Sequence, residues 1–144
     1  MKKLNLNPKG LKAGDCVIRA IAYATQQSWD TVYKDLCDLG FKMKRLPNEK
    51  QVYEKYLERC GWTKHKQPRK VITNWKYTVD EMIESMNYQE SCFETGETTS
   101  SVGNNIVISV ANHLTCISKN DYGDFEIVDT WDCGRKSVGN YWTK

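Results

Sequence analysis

The sequence predicts an α+β fold, and two observations carry that prediction. Through roughly the first 60 positions, apolar residues recur at helical spacing in segments that open on capping residues. From residue 104 the pattern changes to short apolar runs separated by turn residues. Helices first and an antiparallel sheet afterwards is the order of an α+β domain. At 144 residues the chain suits a single domain, 1–144, with a mainly helical part over 1–62 and a sheet part over 104–144.

Taken in order, the first helix is expected over about 15–26. Gly14 frees the backbone, Asp15 is a suitable N-cap, and Val17, Ile18, Ile21 and Ala24 recur on one face. Ser28 caps a second helix carrying Trp29, Val32, Tyr33 and Leu36, with Gly40 as its stop signal. After a basic loop, Asn48 is placed to cap a third helix with Val52, Tyr53, Tyr56 and Leu57 on one face and Gly61 past its end. The positive segment 64–70 reads as a solvated loop, and Val71-Ile72-Thr73 as a short strand. Thr78-Val79-Asp80-Glu81 matches a capping box and opens a fourth helix through Met82, Ile83 and Met86. Residues 89–103 read as a long polar loop. Strands follow over 105–111, 113–118 and 125–131, with a turn at 119–124 and an irregular tail from Asp132 to Lys144.

Composition narrows the function classes. Lys and Arg number 21 against 18 Asp and Glu, a balance that speaks against a nucleic-acid partner. No apolar run is long enough to span a bilayer, and the basic start lacks the apolar core of a signal peptide, so a cytoplasmic protein without a membrane partner is expected. The six cysteines include no CxxC pair, and there are only two histidines. A structural zinc site has little to work with, so neither a metal nor a cofactor is expected, and most of the thiols read as reduced.

One cysteine stands apart. Cys16 falls in the first turn of the first helix, where free amides and the helix dipole favour an anion and thiolate forms more readily. Such a thiol is a candidate nucleophile. A second pair lies across the predicted hairpin. If the chain turns about Asp121, residues whose numbers sum to 242 face each other, and His113 and Asp129 do so. A carboxylate opposite an imidazole can fix its tautomer and leave the other ring nitrogen free. A slip of a full residue in register would separate them. Cysteine at a helix start, histidine at a strand start, then aspartate on the next strand is the chain order of a thiol hydrolase.

These residues resemble the papain-like cysteine peptidase superfamily, in which the nucleophile begins the N-terminal helix and the histidine starts a strand of the C-terminal sheet. Trp131, two positions after Asp129, matches an aromatic that often follows the third member there. The Gly14-Asp15-Cys16 start, with Arg19-Ala20 after it, is similar to small bacterial and phage-associated proteins of that type. The resemblance covers roughly 5–36 and 104–131. Val17 replaces the usual Trp after the nucleophile, and no Gln precedes it to complete an oxyanion hole. The resemblance implies Cys16, His113 and Asp129 as catalytic residues, with Asp15 and Trp131 as site-lining. The Cys16 amide can supply one oxyanion donor; Asn5 and Asn7 are the upstream amide candidates, and Asn7 is either the second donor or, beside Pro8, part of a rigid structural turn.

The expected activity is hydrolysis of an amide or isopeptide bond in a peptide or small-protein substrate, through an acyl-enzyme. Acyl transfer by the same residues is an alternative. A catalytically silent papain-fold binder, with 41–103 as its surface, is another. Nucleic-acid binding through Arg45, Lys64, Lys66, Arg69 and Lys70 is the weakest reading, and the oligomeric state stays open.

Overall fold

The computed structural model describes residues 1–88 and 103–144. The polar loop expected over 89–103 lies, up to residue 102, outside the described residues, as does Cys92. Among the described residues the chain forms four helices and a six-stranded mixed sheet, an α+β architecture.

Helix α1 (Cys16–Thr25) buries Val17, Ile18, Ala20, Ile21, Ala22 and Ala24. Asp15 holds the N-cap position, but its side chain does not cap; the carboxylate turns to other donors described below. Helix α2 (Trp29–Met43) opens as expected, with Ser28 Oγ accepting from the Thr31 amide at 3.0 Å. Gly40 does not stop it. The helix runs on to Met43 and ends on Lys44 at φ 57. Gly40 is there for proximity: a Cβ at this position would stand 2.7 Å from the carbonyl oxygen of Arg45 in the returning chain.

Helix α3 (Lys50–Arg59) buries Val52, Tyr53, Tyr56 and Leu57, but Glu49 rather than Asn48 precedes it, without a side-chain cap. The Glu49 carboxylate instead accepts from the Leu46 amide at 3.2 Å. The basic segment is not all loop, since Thr63–His65 forms strand β2, and Lys64 pairs with Glu54 at 2.7 Å. Val71, Ile72 and Thr73 do not form a strand; they are the exposed tip of a turn between the bridged residues Arg69 and Lys76. Helix α4 (Val79–Asn87) carries the expected capping box. Thr78 Oγ1 accepts from the Glu81 amide, and Glu81 Oε2 accepts from the Thr78 amide.

Besides β2, the sheet holds two further strands that periodicity did not disclose. Strand β1 (Lys2–Lys3) runs parallel to β5 (Phe125–Asp129), and β6 (Tyr141–Thr143) lies between β3 (Asn105–Val110) and β2. With β4 (His113–Lys119) the order is β1-β5-β4-β3-β6-β2. The tail expected to be irregular therefore reaches the interior, where Trp142 meets Tyr53 edge-on at 5.7 Å. Gly139 makes that passage possible, since a Cβ there would stand 2.7 Å from Ser109 Oγ.

Alternation along the strands divides the core in two. Val107, Leu114, Cys116 and Trp142 pack with α1, α2 and α3 on one face. Ile106, Ile108, Ile117, Phe125, Ile127 and Tyr141 pack with Val79, Met82 and Met86 of α4 on the other. The α1 face is the larger commitment, and emptying it at the fully buried Ile21 by substitution with Ala would cost about 2–5 kcal/mol.

The β4–β5 register corrects the expected one. Cys116 faces Val128 and Ile117 faces Ile127, so paired residues sum to 244 and the turn centres on Tyr122 rather than Asp121. His113 and Asp129 are therefore not directly opposed; extending the register puts Thr115 opposite Asp129. The change is two residues in register, which preserves the face, so His113 becomes a diagonal neighbour of Asp129 within reach of its side chain. Among the described residues no helix is long and apolar enough to cross a membrane.

Candidate active site

The site forms where α1 begins and β4 begins. Asn112, at φ 54, closes the two-residue link from β3 and sets His113 at the head of its strand. His113 shares a sheet face with Thr115, while Leu114 and Cys116 face α1. At the strand's first residue the sheet no longer separates its two sides, and the imidazole meets the thiol brought by α1.

Cys16, His113 and Asp129 come together there. His113 Nε2 lies 2.7 Å from Asp129 Oδ2, and the histidine ring lines the same two grooves as Cys16. With Nε2 taken by the carboxylate, Nδ1 is the nitrogen left to serve the sulfur. Asp129 is held in turn. Thr115 Oγ1 donates to the same Oδ2 at 2.7 Å, and the Thr130 amide donates to Oδ1 at 2.7 Å. Its backbone carbonyl accepts from the Leu4 amide at 2.9 Å, which ties β1 to the site.

These contacts set the protonation states. Burial alone would raise the Cys16 thiol. Hydrogen bonds from His113 and the Leu114 backbone, with the charges of His113 and Arg19, outweigh it and hold the thiol below its ordinary value. Burial alone would lower His113, but its hydrogen bonds to Asp129 and Cys16 and their charges push it up to about 9. Burial likewise opposes ionisation of Asp129, yet the donors His113, Thr115 and Thr130 keep its carboxyl below the ordinary range. An acidified thiol beside a basic imidazole shifts the balance towards the thiolate–imidazolium pair. Three other thiols go the opposite way, with burial pushing Cys133 up to about 11 and raising Cys60 and Cys116. Cys16, Cys37, Cys60, Cys116 and Cys133 are all free.

Two grooves meet over the Cys16–His113 pair, sharing Gly14, Cys16, Asn112 and His113 as their common floor. The larger, about 640 Å³, runs between the 3–14 segment and Trp131. The smaller, about 460 Å³, runs past Asn48, Lys50 and Tyr53. Trp131 lies 5.0 Å from the His113 ring and is 41% exposed, so it lines the site as its spacing from Asp129 implied.

Two expected site residues are placed differently. Asn7 is not among the groove-lining residues. Its Nδ2 donates to Asp15 Oδ2 at 3.1 Å, and its Oδ1 accepts from the Lys9 amide, so it braces its own turn rather than facing an oxyanion. Asp15 is buried behind the thiol instead of lining the cleft, and it also accepts from Trp29 Nε1 and Arg19 Nη1, each at 3.0 Å. Asp15 also leaves the first-turn amides of α1 without a side-chain cap.

Arg19 and Thr115 are the residues that sequence reasoning missed. Arg19 bridges two carboxylates, with Nη1 on Asp15 and Nη2 at 3.9 Å from Asp129 Oδ1. The Asp15-to-Arg19 spacing of four on one helix was the available signal. Thr115, two positions after His113 on the same face, was the other.

His113, Asp129 and Cys133 also bring their ligand atoms within 4.8 Å of one another. They would hold a metal ion only with Cys133 ionised, which its burial opposes, and with the 2.7 Å His113–Asp129 hydrogen bond opened. Compared with known proteins, the chain matches no family model, no curated protein and no solved structure.

Proposed function

We propose that this protein is a papain-like cysteine hydrolase that cleaves an amide or isopeptide bond in a peptide or small protein. One observation carries the reading: Cys16, at the start of α1, and His113 share the floor of both grooves, and His113 Nε2 is held by Asp129 at 2.7 Å. The Cys16 thiolate adds to the carbonyl carbon, and the C=O π pair moves onto oxygen, where the Cys16 amide donates to it. The tetrahedral species collapses as the C–N bond breaks, and the proton on His113 Nδ1 passes to the leaving nitrogen. Water then adds to the thioester with His113 as base, and the thiolate leaves. Asp129 stays ionised throughout and stabilises the imidazolium. A module that only bound a partner would gain nothing from an acidified thiol in a cleft.

The test is the pH dependence of Cys16 alkylation by iodoacetamide, read on the intact protein by mass spectrometry. Cys16 is expected to react well below the pH of an ordinary thiol, near 8.5, and His113→Ala is expected to remove that advantage. Reaction of Cys16 at an ordinary pH, indifferent to His113, would sink the proposal.

A further inference from the structure

The walls of the cleft carry one sign of charge, which bears on what polypeptide it accepts; the inference rests on the hydrolase reading above. The larger groove is lined by Lys3, Lys12 and Arg19 and by no carboxylate. The smaller adds Lys50, again without a carboxylate. The whole chain is nearly balanced, 21 cations to 18 anions, so a cleft with four cations and no anion departs from its background. Arg19 is matched by Asp15 and Asp129, and Lys50 Nζ donates to Asn140 Oδ1 at 2.7 Å. Lys3 and Lys12 are exposed, and neither ammonium has a carboxylate partner among the described residues.

Two unmatched ammonium groups at the walls of a concave site focus a positive field into it. A Lys or Arg side chain on a bound substrate would enter against that field, and an Asp or Glu would relieve it. The indole of Trp131 forms an apolar wall in the same groove, against which the methylenes of a Glu side chain can lie. We propose that the cleft takes an acidic polypeptide segment, its Asp or Glu side chains seated against Lys3 and Lys12 beside Trp131.

The experiment uses the full chain and three matched peptides, each with an α,β-unsaturated amide in place of the scissile bond and four residues on either side. The flanks are rich in Glu, in Gln or in Lys. The Cys16 sulfur adds to the β-carbon, the alkene pair moves to the α-carbon, and His113 delivers the proton there. The rate of mass gain at Cys16 is followed at low salt. The Glu peptide is expected to label about five- to twentyfold faster than the Lys peptide, from two partly screened surface pairs gained by one and two like-charge contacts met by the other. At about 0.5 M salt the ratio should shrink towards one as the Debye length falls to a few ångströms. The Lys3→Gln/Lys12→Gln protein should lose the preference, and Lys3→Glu/Lys12→Glu should invert it. Because the readout is a ratio within each protein, a general loss of reactivity does not imitate the result. Equal rates for the three peptides, or a Glu preference that survives both double variants, overturns the inference and leaves the hydrolase reading standing. If Cys16 takes up none of the peptides and reacts with iodoacetamide like an ordinary thiol, the hydrolase reading falls and the inference falls with it.

Discussion

The chain contains two histidines, and their surroundings differ in what makes an imidazole a base. His65 lies on the edge strand β2, with Nε2 2.7 Å from Thr143 Oγ1 and its ring stacked on Tyr141 at 4.6 Å. His113 heads the interior strand β4, with Nε2 2.7 Å from Asp129 Oδ2 and its ring 5.0 Å from Trp131. The two contacts have the same length, and both rings lie beside an aromatic. At His65 Nε2 stands the Thr143 hydroxyl, which orients the ring. Behind His113 stands a carboxylate that is itself held by Thr115 and Thr130. On the same groove floor as His113 stands the Cys16 thiol. A short hydrogen bond orients a histidine; a buried charge behind it and a nucleophile before it give it chemistry.

The sharpest way to break this contrast is His113→Ala. Alkylation of Cys16 near pH 6 should fall about 10²- to 10⁴-fold, the usual worth of a positioned base. A comparable fall in His65→Ala would show the contrast to be false. Asp129→Ala should fall less, about 10- to 100-fold, as expected for loss of a hydrogen bond to a charged group. A loss as large as that of His113→Ala would mean the site had collapsed rather than lost its orienting group, and circular dichroism would show it.

The pH dependence of stability sharpens the same contrast. The folded state raises His113 from 6.5 to about 9, so folding favours the protonated ring. That stabilisation is full below pH 6.5 and is lost as pH rises through about 9. Asp129 is lowered, so its contribution is present above its ordinary value of 3.8 and is lost as pH falls further. The gap in urea midpoint between the parent and His113→Ala should therefore narrow between pH 6.5 and 9. A gap that widens over that interval would reverse the assigned direction.

Smaller effects test the supports. Arg19→Gln leaves Asp15 buried without its cation and should destabilise the protein by about 3 kcal/mol. It should also slow Cys16 alkylation about fivefold, as a partly screened charge worth ~1 kcal/mol is removed. Arg19→Lys should restore the rate more than the stability, because one ammonium cannot fork between Asp15 and Asp129. The smallest effect on reactivity belongs to His65→Ala. It should cost about 1–3 kcal/mol through its hydrogen bond and stacking and leave the alkylation profile of Cys16 in place.

Much of this was legible in local pattern. The apolar face of α1, the Ser28 cap and the Thr78–Glu81 box are read within one or two turns of chain, so composition and spacing suffice for them. Cys16 at a helix start and His113 at a strand start are likewise local statements. What was missed is nonlocal. Strand β6 has three residues, too few to show a period, and it becomes a strand only because β3 and β2 leave a place between them. Gly40 looked like a stop, and its role depends on a carbonyl that returns from residue 45. Asp15 looked like a cap, and Trp29, Asn7 and Arg19 claimed its oxygens.

By itself, then, the sequence determined which residues are candidates for chemistry and on which kind of element each sits, because helix and strand periods are set by neighbours a few residues apart. The tertiary structure decided the rest. It chose a register of 244 over 242, which made His113 and Asp129 diagonal rather than opposed and brought Thr115 into the site. It brought a thiol from the helical layer to an imidazole on the sheet. It also aligned Lys3, Lys12 and Trp131, from opposite ends of the chain, along one groove. Pairing across long loops depends on the balance of the whole core, and no local run of residues encodes that balance.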